Sequence, residues 1–316
     1  MTAIAKGPVK HIALVGTGTI GAGFAAHFLA RGYEISATDP APGAEAKLAQ
    51  YLARVWPQLR EIGATDRADP PSFRFAASVA DCVRGADFVQ ENAPETEAVK
   101  VDVLKEIDAA LPPDRIIASS TSALLLSRIA IQCRHRARCI LAHPFNPPHL
   151  VPLIELAGDN ATAPEAIDVA YEFYEAAGLK PVRLNGEVFG HIANRIQYVV
   201  WNEVVRLVLQ GFCTPADVDR AMIYGPGTRW PFIGPFATYA LAGGEGGLAK
   251  TFKMFGPRDA QNTDRAARIQ LTPEQQRMLI ESVDAIFEGR SPSAVAAERD
   301  GRLVELIKLR KRLGLA

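Results

Sequence analysis

The stretch His11-Ile12-Ala13-Leu14-Val15-Gly16-Thr17-Gly18-Thr19-Ile20-Gly21 decides how the rest of the chain is read. Its first five residues are a short apolar run that stops at a glycine. A strand buried on both faces of a parallel sheet reads this way. Residues 22–31 continue at helical spacing, with Phe24, Phe28 and Leu29 on one side and Gly32 as a stop. Residues 33–38 are again strand-like and run into Asp39-Pro40. Each part of this order has a physical use. Gly16 permits a tight turn, Gly18 lets a pyrophosphate approach the backbone, and Gly21 lets helix and strand pack closely. Thr19 and Ile20 lie where a helix N-terminus faces the phosphate. The Asp39 carboxylate accepts from ribose hydroxyls and repels a 2′-phosphate, which points to NAD rather than NADP. The bland alternative is a glycine-rich turn in a fold that binds no nucleotide. The strand before the motif, the helix after it and the acid beyond count against that.

Outward from this unit the pattern repeats. Residues 43–62 read as a helix with Leu48, Leu52, Val55 and Leu59 on one face, which Pro57 is expected to kink or break. Strand-like segments recur at 73–76, 88–90, 116–119 and 139–142, with helical stretches between them. This alternation predicts an α/β fold with a Rossmann-type, doubly wound, mostly parallel sheet. After about residue 186 helical periodicity takes over, with Val188, Ile192 and Val199 on one side. Thr214-Pro215-Ala216-Asp217 and Thr272-Pro273-Glu274-Gln275 have the form of helix N-caps. No further strand is expected. The reading is a nucleotide-binding domain over 1–186 and a smaller all-helical domain over 187–316.

The whole-chain figures narrow the function classes. The 316 residues and 34.1 kDa suffice for two domains with their own cores. With 48% hydrophobic and 22% charged residues, bulk disorder is excluded. The 35 basic side chains balance 35 acidic ones, without the basic excess of a nucleic-acid protein. Cys82, Cys133, Cys139 and Cys213 are scattered and form no C-x-x-C pair, which suits reduced thiols and gives no metal signature. No apolar run reaches membrane-spanning length, and the N-terminus lacks a signal-peptide pattern. A soluble, cytoplasmic protein is expected.

Ser119-Ser120-Thr121-Ser122 ends one expected strand, and His143-Pro144-Phe145-Asn146-Pro147-Pro148 follows the next. Sites in open α/β sheets lie at the carboxyl ends of strands. The prolines exclude a helix around His143 and suggest a stiff loop. Oxidising an alcohol needs a base for the hydroxyl proton while hydride leaves the carbon, and histidine suits this near neutral pH. Glu155, in Val151-Pro-Leu-Ile-Glu155-Leu156, is the candidate carboxylate for its other nitrogen, and Ser122 a candidate hydroxyl for the substrate oxygen. On spacing alone, a histidine among prolines reads as structural at least as readily.

The glycine fingerprint with Asp39, Ser-Ser-Thr-Ser122, His-Pro-Phe-Asn-Pro147, Leu-Ile-Glu155 and Gly190-His-Ile-Ala-Asn194-Arg195 together resemble the L-3-hydroxyacyl-CoA dehydrogenase family over nearly the full chain. The resemblance implies an NAD-dependent enzyme with His143 as base and Glu155 as its partner. It implies that Ser122 and Asn194 contact substrate oxygens. Glu95, Lys100, Ser120 and Asn146 fall on positions that help to hold the cofactor. It also implies a homodimer formed through the helical domain. Without it, Glu95 and Lys100 would pass for a solvated helix pair. The 3-hydroxyisobutyrate and 6-phosphogluconate group shares the two-domain plan but needs a G-x-x-x-K-x-x-N pattern that is absent here. A structural NAD-binding role, as in lens crystallins, would not require Ser122, His143, Glu155 and Asn194 together.

Acyl-CoA members of the family carry a long lysine-rich insertion after the second strand. Here residues 43–72 are short, and Lys47, Arg54, Arg60 and Arg67 are offset by Glu45, Glu61, Asp66 and Asp69. Tyr224-Gly-Pro-Gly-Thr-Arg229-Trp230 adds an arginine suited to a free carboxylate. These features resemble the L-carnitine and L-gulonate 3-dehydrogenase branch. Gly243-Gly-Glu-Gly-Gly247 and Phe255-Gly-Pro257 are similar to the carnitine enzymes, and Asn194-Arg-Ile-Gln-Tyr198 to the gulonate enzymes. Trp230, Phe232, Phe236 and Tyr239 offer aromatic faces for a trimethylammonium group, although at least two of the four read as helix-packing core. Arg229 also reads as one half of a surface or interface salt bridge. The expected substrate is a small free L-3-hydroxy acid, and the alternative is a short-chain 3-hydroxyacyl-CoA.

Overall fold

The computed structural model describes residues 4–64, 72–255, 272–275, 278, 288 and 290–314. Eight strands form one sheet: β1 (His11–Val15), β2 (Glu34–Thr38), β3 (Arg74–Phe75), β4 (Phe88–Glu91), β5 (Ile116–Ser119), β6 (Cys139–Pro144), β7 (Leu153–Ala157) and β8 (Lys180–Arg183). Their order is β3-β2-β1-β4-β5-β6-β7-β8. The first six are mutually parallel, β7 is antiparallel to β6, and β8 is parallel to β7. The order reverses between β1 and β4, so their carboxyl ends frame a crevice of the kind that binds nucleotides.

Alternation along the strands explains the two layers of helix. Ile12 and Leu14 of β1 enter one core with α1 (Thr19–Leu29), α2 (Ala44–Glu61) and α6 (Pro164–Ala176). Ala13 and Val15 enter the other with α3 (Val79–Val83), α4 (Glu97–Ala110) and α5 (Leu126–Ile129). Successive strand residues face opposite sides, so both sets must be apolar. A slip of one residue would exchange the two sets, and the cores fix the register against it.

The chain divides into two compact units, Met1–Ile192 with Asp300–Leu309, and Ala193–Arg299 with Arg310–Ala316. The second unit contains α7 (Ala193–Leu209), α8 (Pro215–Tyr224), α9 (Pro226–Arg229), α10 (Pro235–Ala242) and α11 (Gly247–Phe255). A final helix, α12 (Pro292–Arg312), contributes to both groupings. The C-terminal region is helical, as expected. Thr214 caps α8 in a reciprocal box with Asp217, and Thr272 exchanges bonds with Gln275. Gly244–Gly246 form a short 3₁₀ turn between α10 and α11. Of the stretches quoted for substrate class, 65–71 and Gly256-Pro257 lie outside the described residues. No helix among the described residues is long and apolar enough to cross a membrane.

Four expectations need correction. Pro57 does not break α2, which runs unbroken from Ala44 to Glu61 and buries Leu48, Leu52, Val55, Trp56 and Leu59. The burial of that face offsets the one backbone bond the proline removes. His143 lies within β6, not on a loop after it. Strands β7 and β8 were not foreseen. A charged Glu155 interrupts the apolar run of β7, and Pro181 lies in β8, an edge strand where proline is tolerated. Finally, α7 starts only at Ala193, because Gly190 (φ 76°) and His191 (φ 49°) turn the chain through left-handed conformations just before it.

Candidate active site

The glycine turn at the end of β1 has the shape its sequence requires. Gly16 has φ 94°, and a Cβ there would stand 2.6 Å from the Asn92 carbonyl oxygen. A Cβ on Gly21 would stand 2.0 Å from the Gly16 carbonyl oxygen. Around Gly18 nothing lies within 4 Å of such an atom. The first two glycines are therefore demanded by packing, while Gly18 leaves space over the backbone. Gly18 is also the N-cap of α1 and supplies no side-chain acceptor, so the first N–H groups of α1 face outward uncapped. Thr19 and Ile20 form that first turn, with Thr19 exposed. Asp39 Oδ2 accepts from the Thr17 N–H at 2.8 Å, and Oδ1 accepts from the Ala41 N–H at 2.9 Å. The open turn, uncapped helix end and positioned carboxylate fit NAD.

Behind this turn, β4 and β5 carry a polar network. Tyr174 donates to Gln90, Gln90 Nε2 donates to Ser120 Oγ at 2.8 Å, and Ser120 Oγ donates to Asn92 Oδ1 at 2.7 Å. Ser120 is thus tied to the same Asn92 that the Gly16 turn packs against. Next to it lies a buried ion pair that the sequence did not reveal. Lys100 Nζ donates to Glu91 Oε1 at 2.8 Å, with both side chains at most 1% exposed. Glu91 also accepts from the Ala93 N–H at 2.6 Å and from the Ser119 hydroxyl. Glu95 is a more distant partner of Lys100, at 3.7 Å. Lys100 and Glu95 are therefore not a solvated helix pair.

Glu95 spends its own hydrogen bonds on the serine loop. Its Oε1 accepts from Thr121 Oγ1 at 2.6 Å and from the N–H groups of Ser122 and Ala123, both at 2.8 Å. Burial pushes the Glu95 carboxyl upward. The bonds from Thr121, Ala123 and Ser122 and the charge of Lys100 more than offset this, and it titrates below the usual carboxylate range. An ionised Glu95 thus holds Ser122, which is partly exposed, at the end of β5.

The next two strands bring His143 and Glu155 together. Both are buried, and Nδ1 of His143 lies 2.8 Å from Oε2 of Glu155. The carboxylate can only accept, so Nδ1 carries the proton and Nε2 is left as the acceptor. The second carboxylate oxygen, Oε1, accepts from the Ile192 N–H at 2.8 Å. That bond prevents Glu155 from turning away from the imidazole. His191 packs its ring 4.7 Å from that of His143, and its Nε2 lies 3.2 Å from the Thr121 carbonyl oxygen. Burial, and then the nearby His143, push the His191 imidazole below the usual histidine range. The pair can therefore accept a proton at Nε2 and stabilise the resulting imidazolium through Glu155.

The remaining expected residues are placed elsewhere. Asn146 is exposed on the connection from β6 to β7, followed by a cis bond to Pro147. Asn194, Arg229 and Trp230 belong to the second unit, Asn194 in the first turn of α7 and Arg229 at the end of α9. Arg229 is exposed and forms no ion pair among the described residues of this chain. Trp230, Phe232, Phe236 and Tyr239 are all exposed within that unit, so none is the core residue expected of at least two of them. Sequence reasoning missed Glu91, His191 and Ile192. Glu91 falls just beyond the strand-like segment 88–90, and the only signal for His191 was its place after Gly190.

A family model described as 3-hydroxyacyl-CoA dehydrogenase, NAD binding domain, matches residues 11–188. The corresponding C-terminal domain model matches residues 190–279. The chain is 42% identical over 300 residues to an L-carnitine dehydrogenase of Nocardiopsis dassonvillei, covering 95% of this chain and 91% of that one. It is 41% identical over 304 residues to an L-carnitine dehydrogenase of Bacillus cereus, covering 96% and 93%. Among solved structures it is similar to 5-formyl-3-hydroxy-2-methylpyridine 4-carboxylic acid 5-dehydrogenase, described as an NAD+-dependent dismutase. There the TM-score is 0.81 at 30% identity, covering 97% of this chain and 99% of the other.

Proposed function

Because the chain belongs to the 3-hydroxyacyl-CoA dehydrogenase family and is an NAD-dependent dehydrogenase, we propose that it oxidises the 3-hydroxyl of a small, free L-3-hydroxy acid to the 3-keto acid. The acid is of the carnitine or gulonate kind. The observation that carries the chemistry is the 2.8 Å contact between His143 Nδ1 and Glu155 Oε2, which leaves Nε2 free to take a proton.

NAD, when bound, supplies the acceptor for the hydride that leaves carbon 3. The Gly18 turn and the N-terminus of α1 hold its pyrophosphate, and Asp39 its adenosine ribose. His143 Nε2 takes the hydroxyl proton as the carbonyl forms. Glu155 stabilises the imidazolium, and the Ile192 N–H keeps Glu155 in line. Ser122 and Asn194 hold the substrate oxygens. Ser120 and Lys100 support the cofactor side through Asn92 and Glu91, and Asn146 and Glu95 flank it. Arg229 pairs with the substrate carboxylate, and Trp230 offers a face to a quaternary ammonium. The substrate class is supported by the relatives named L-carnitine dehydrogenase. A homodimer through the helical region is part of this reading. It is supported by exposed Tyr198, Val199 and Trp201 on α7, which an isolated chain would leave in water.

The test is NAD reduction with L-carnitine, L-gulonate, L-3-hydroxybutyrate and L-3-hydroxybutyryl-CoA, with Arg229→Met alongside. Turnover of a free acid that falls in the variant is the expected result. Turnover of the thioester alone, indifferent to Arg229, overturns the free-acid reading.

A further inference from the structure

A buried histidine is ordinarily explained by one satisfied bond in a core, yet three independent ties meet at residues 191–192. The His191 ring lies 4.7 Å from the His143 ring, at 46° to it. Its Nε2 lies 3.2 Å from the Thr121 carbonyl oxygen, one residue before Ser122. The following residue, Ile192, donates its N–H to Glu155 Oε1 at 2.8 Å. These ties reach the serine loop, β6 and β7. The backbone conformation that allows it is costly for a residue with a side chain: His191 has φ 49°, directly after Gly190 at φ 76°. A glycine or asparagine would adopt that turn more readily, so the imidazole is kept there against the local preference.

The hydrogen bonds also fix the state of this ring. A carbonyl can only accept, so His191 Nε2 carries a proton. Its Nδ1 is buried without a hydrogen-bond partner. A proton on Nδ1 as well would be a buried donor with nothing to donate to, beside a His143 that must itself become positive during the reaction. The groups that act on His191 are His143, Glu155 and Glu95. His191 therefore works as a neutral wedge: it covers the His143 ring without adding charge beside the imidazolium.

We propose that His191 is a positioning residue that locks the His143–Glu155 pair to the Thr121–Ser122 loop, so that the proton acceptor and the substrate-oxygen hydroxyl are held as one rigid unit. The proposal rests on the reading of His143 as the base. His191 itself takes no proton from the substrate.

Two substitutions separate its parts in the full chain. His191→Phe keeps a ring against His143 and loses the bond to Thr121. His191→Asn accepts the left-handed turn and loses both. With imidazole nitrogens labelled with 15N, and the His143 signals assigned by their loss in His143→Gln, wild type should show His143 as a single Nδ1–H tautomer and His191 as a single Nε2–H tautomer. Both variants should show an averaged His143 tautomer. Turnover of the best of the four substrates should fall roughly 10- to 100-fold in both variants, with NADH affinity unchanged. An unaltered His143 tautomer in both variants overturns the proposal. So does a fall in NADH affinity and melting temperature with turnover preserved, which marks a merely structural residue. Undiminished turnover in His143→Gln would instead overturn the reading of the base, and the nitrogen spectra still decide what His191 does to His143.

Discussion

His143 of β6 and Glu155 of β7 are paired residues of an antiparallel ladder, directly opposite one another, with Nδ1 and Oε2 2.8 Å apart. Side chains at such positions share one face of the sheet. The pair is thus set by strand register. His143→Gln should lower turnover by about 10²- to 10⁴-fold while NADH still binds. Glu155→Gln should lower it less, because Nε2 remains while the tautomer and the imidazolium lose their support. Single-turnover rates measure both, and equal rates for Glu155→Gln and wild type would dismiss the carboxylate.

The three fingerprint glycines should separate folding from binding. Gly21→Ala places a Cβ 2.0 Å from a backbone oxygen, so overpacking should cost about 1–3 kcal/mol or more. Gly18→Ala meets nothing within 4 Å, so its melting temperature should match wild type while its affinity for NADH drops. Calorimetric titration with NADH beside thermal melts reads both. Wild-type affinity in Gly18→Ala would mean that the pyrophosphate does not lie over this backbone.

The Lys100–Glu91 pair is a stability element beneath the site. Lys100→Met leaves a carboxylate buried with only the Ala93 N–H and the Ser119 hydroxyl, and should cost about 3–5 kcal/mol. The double variant Glu91→Gln, Lys100→Met should recover part of this, since it removes the unpaired charge. Urea denaturation gives both values. A Lys100→Met protein as stable as wild type, yet unable to bind NADH, would instead make the lysine a cofactor contact.

Another buried histidine, His27, should make the fold sensitive to mild acid. His27 donates from Nε2 to the Ala177 carbonyl at 2.9 Å, and its Nδ1 has no hydrogen-bond partner. Burial, and then the Arg31 charge, hold it well below the usual histidine range. The unfolded chain therefore binds a proton near pH 6.5 while the folded chain does not. Stability is full above that pH and falls as pH drops towards the folded value, by at most about 1.4 kcal/mol per pH unit for this group. His27→Gln should flatten that slope in urea melts between pH 7 and 5. Parallel slopes would assign the acid sensitivity to other groups.

The strands most legible in the sequence are those buried on both faces: β1, β5 and β6 carry runs of at least three apolar residues, and β4 opens on Phe88-Val89 before Gln90 and Glu91. The glycine turn was legible because its residues are constrained by backbone geometry rather than by distant partners. Strand β7 was hidden because Glu155 looks like an exposed residue until His143 is seen opposite it. The break allowed for at Pro57 does not occur, because a lost backbone bond is visible in sequence and the burial that offsets it is not. The pairing of Lys100 with Glu91 and the contacts of His191 gave no signal in the spacing, since the partners lie on other elements, and Lys100 was marked only by the family resemblance. His143 and Glu155 themselves became prominent through family resemblance, as nothing in their spacing foretells an antiparallel pair.

The way Glu95 holds the serine loop bears on how a substrate is oriented. Consecutive N–H groups such as those of Ser122 and Ala123 form a cradle for anions, and here the protein fills that cradle with its own carboxylate. If the substrate is the free acid proposed above, its carboxylate would meet a negative charge already seated at this end. A neutral alcohol group is not repelled. On that proposed reading the loop would favour a substrate that presents its hydroxyl end here, with the acid's charge left to cations.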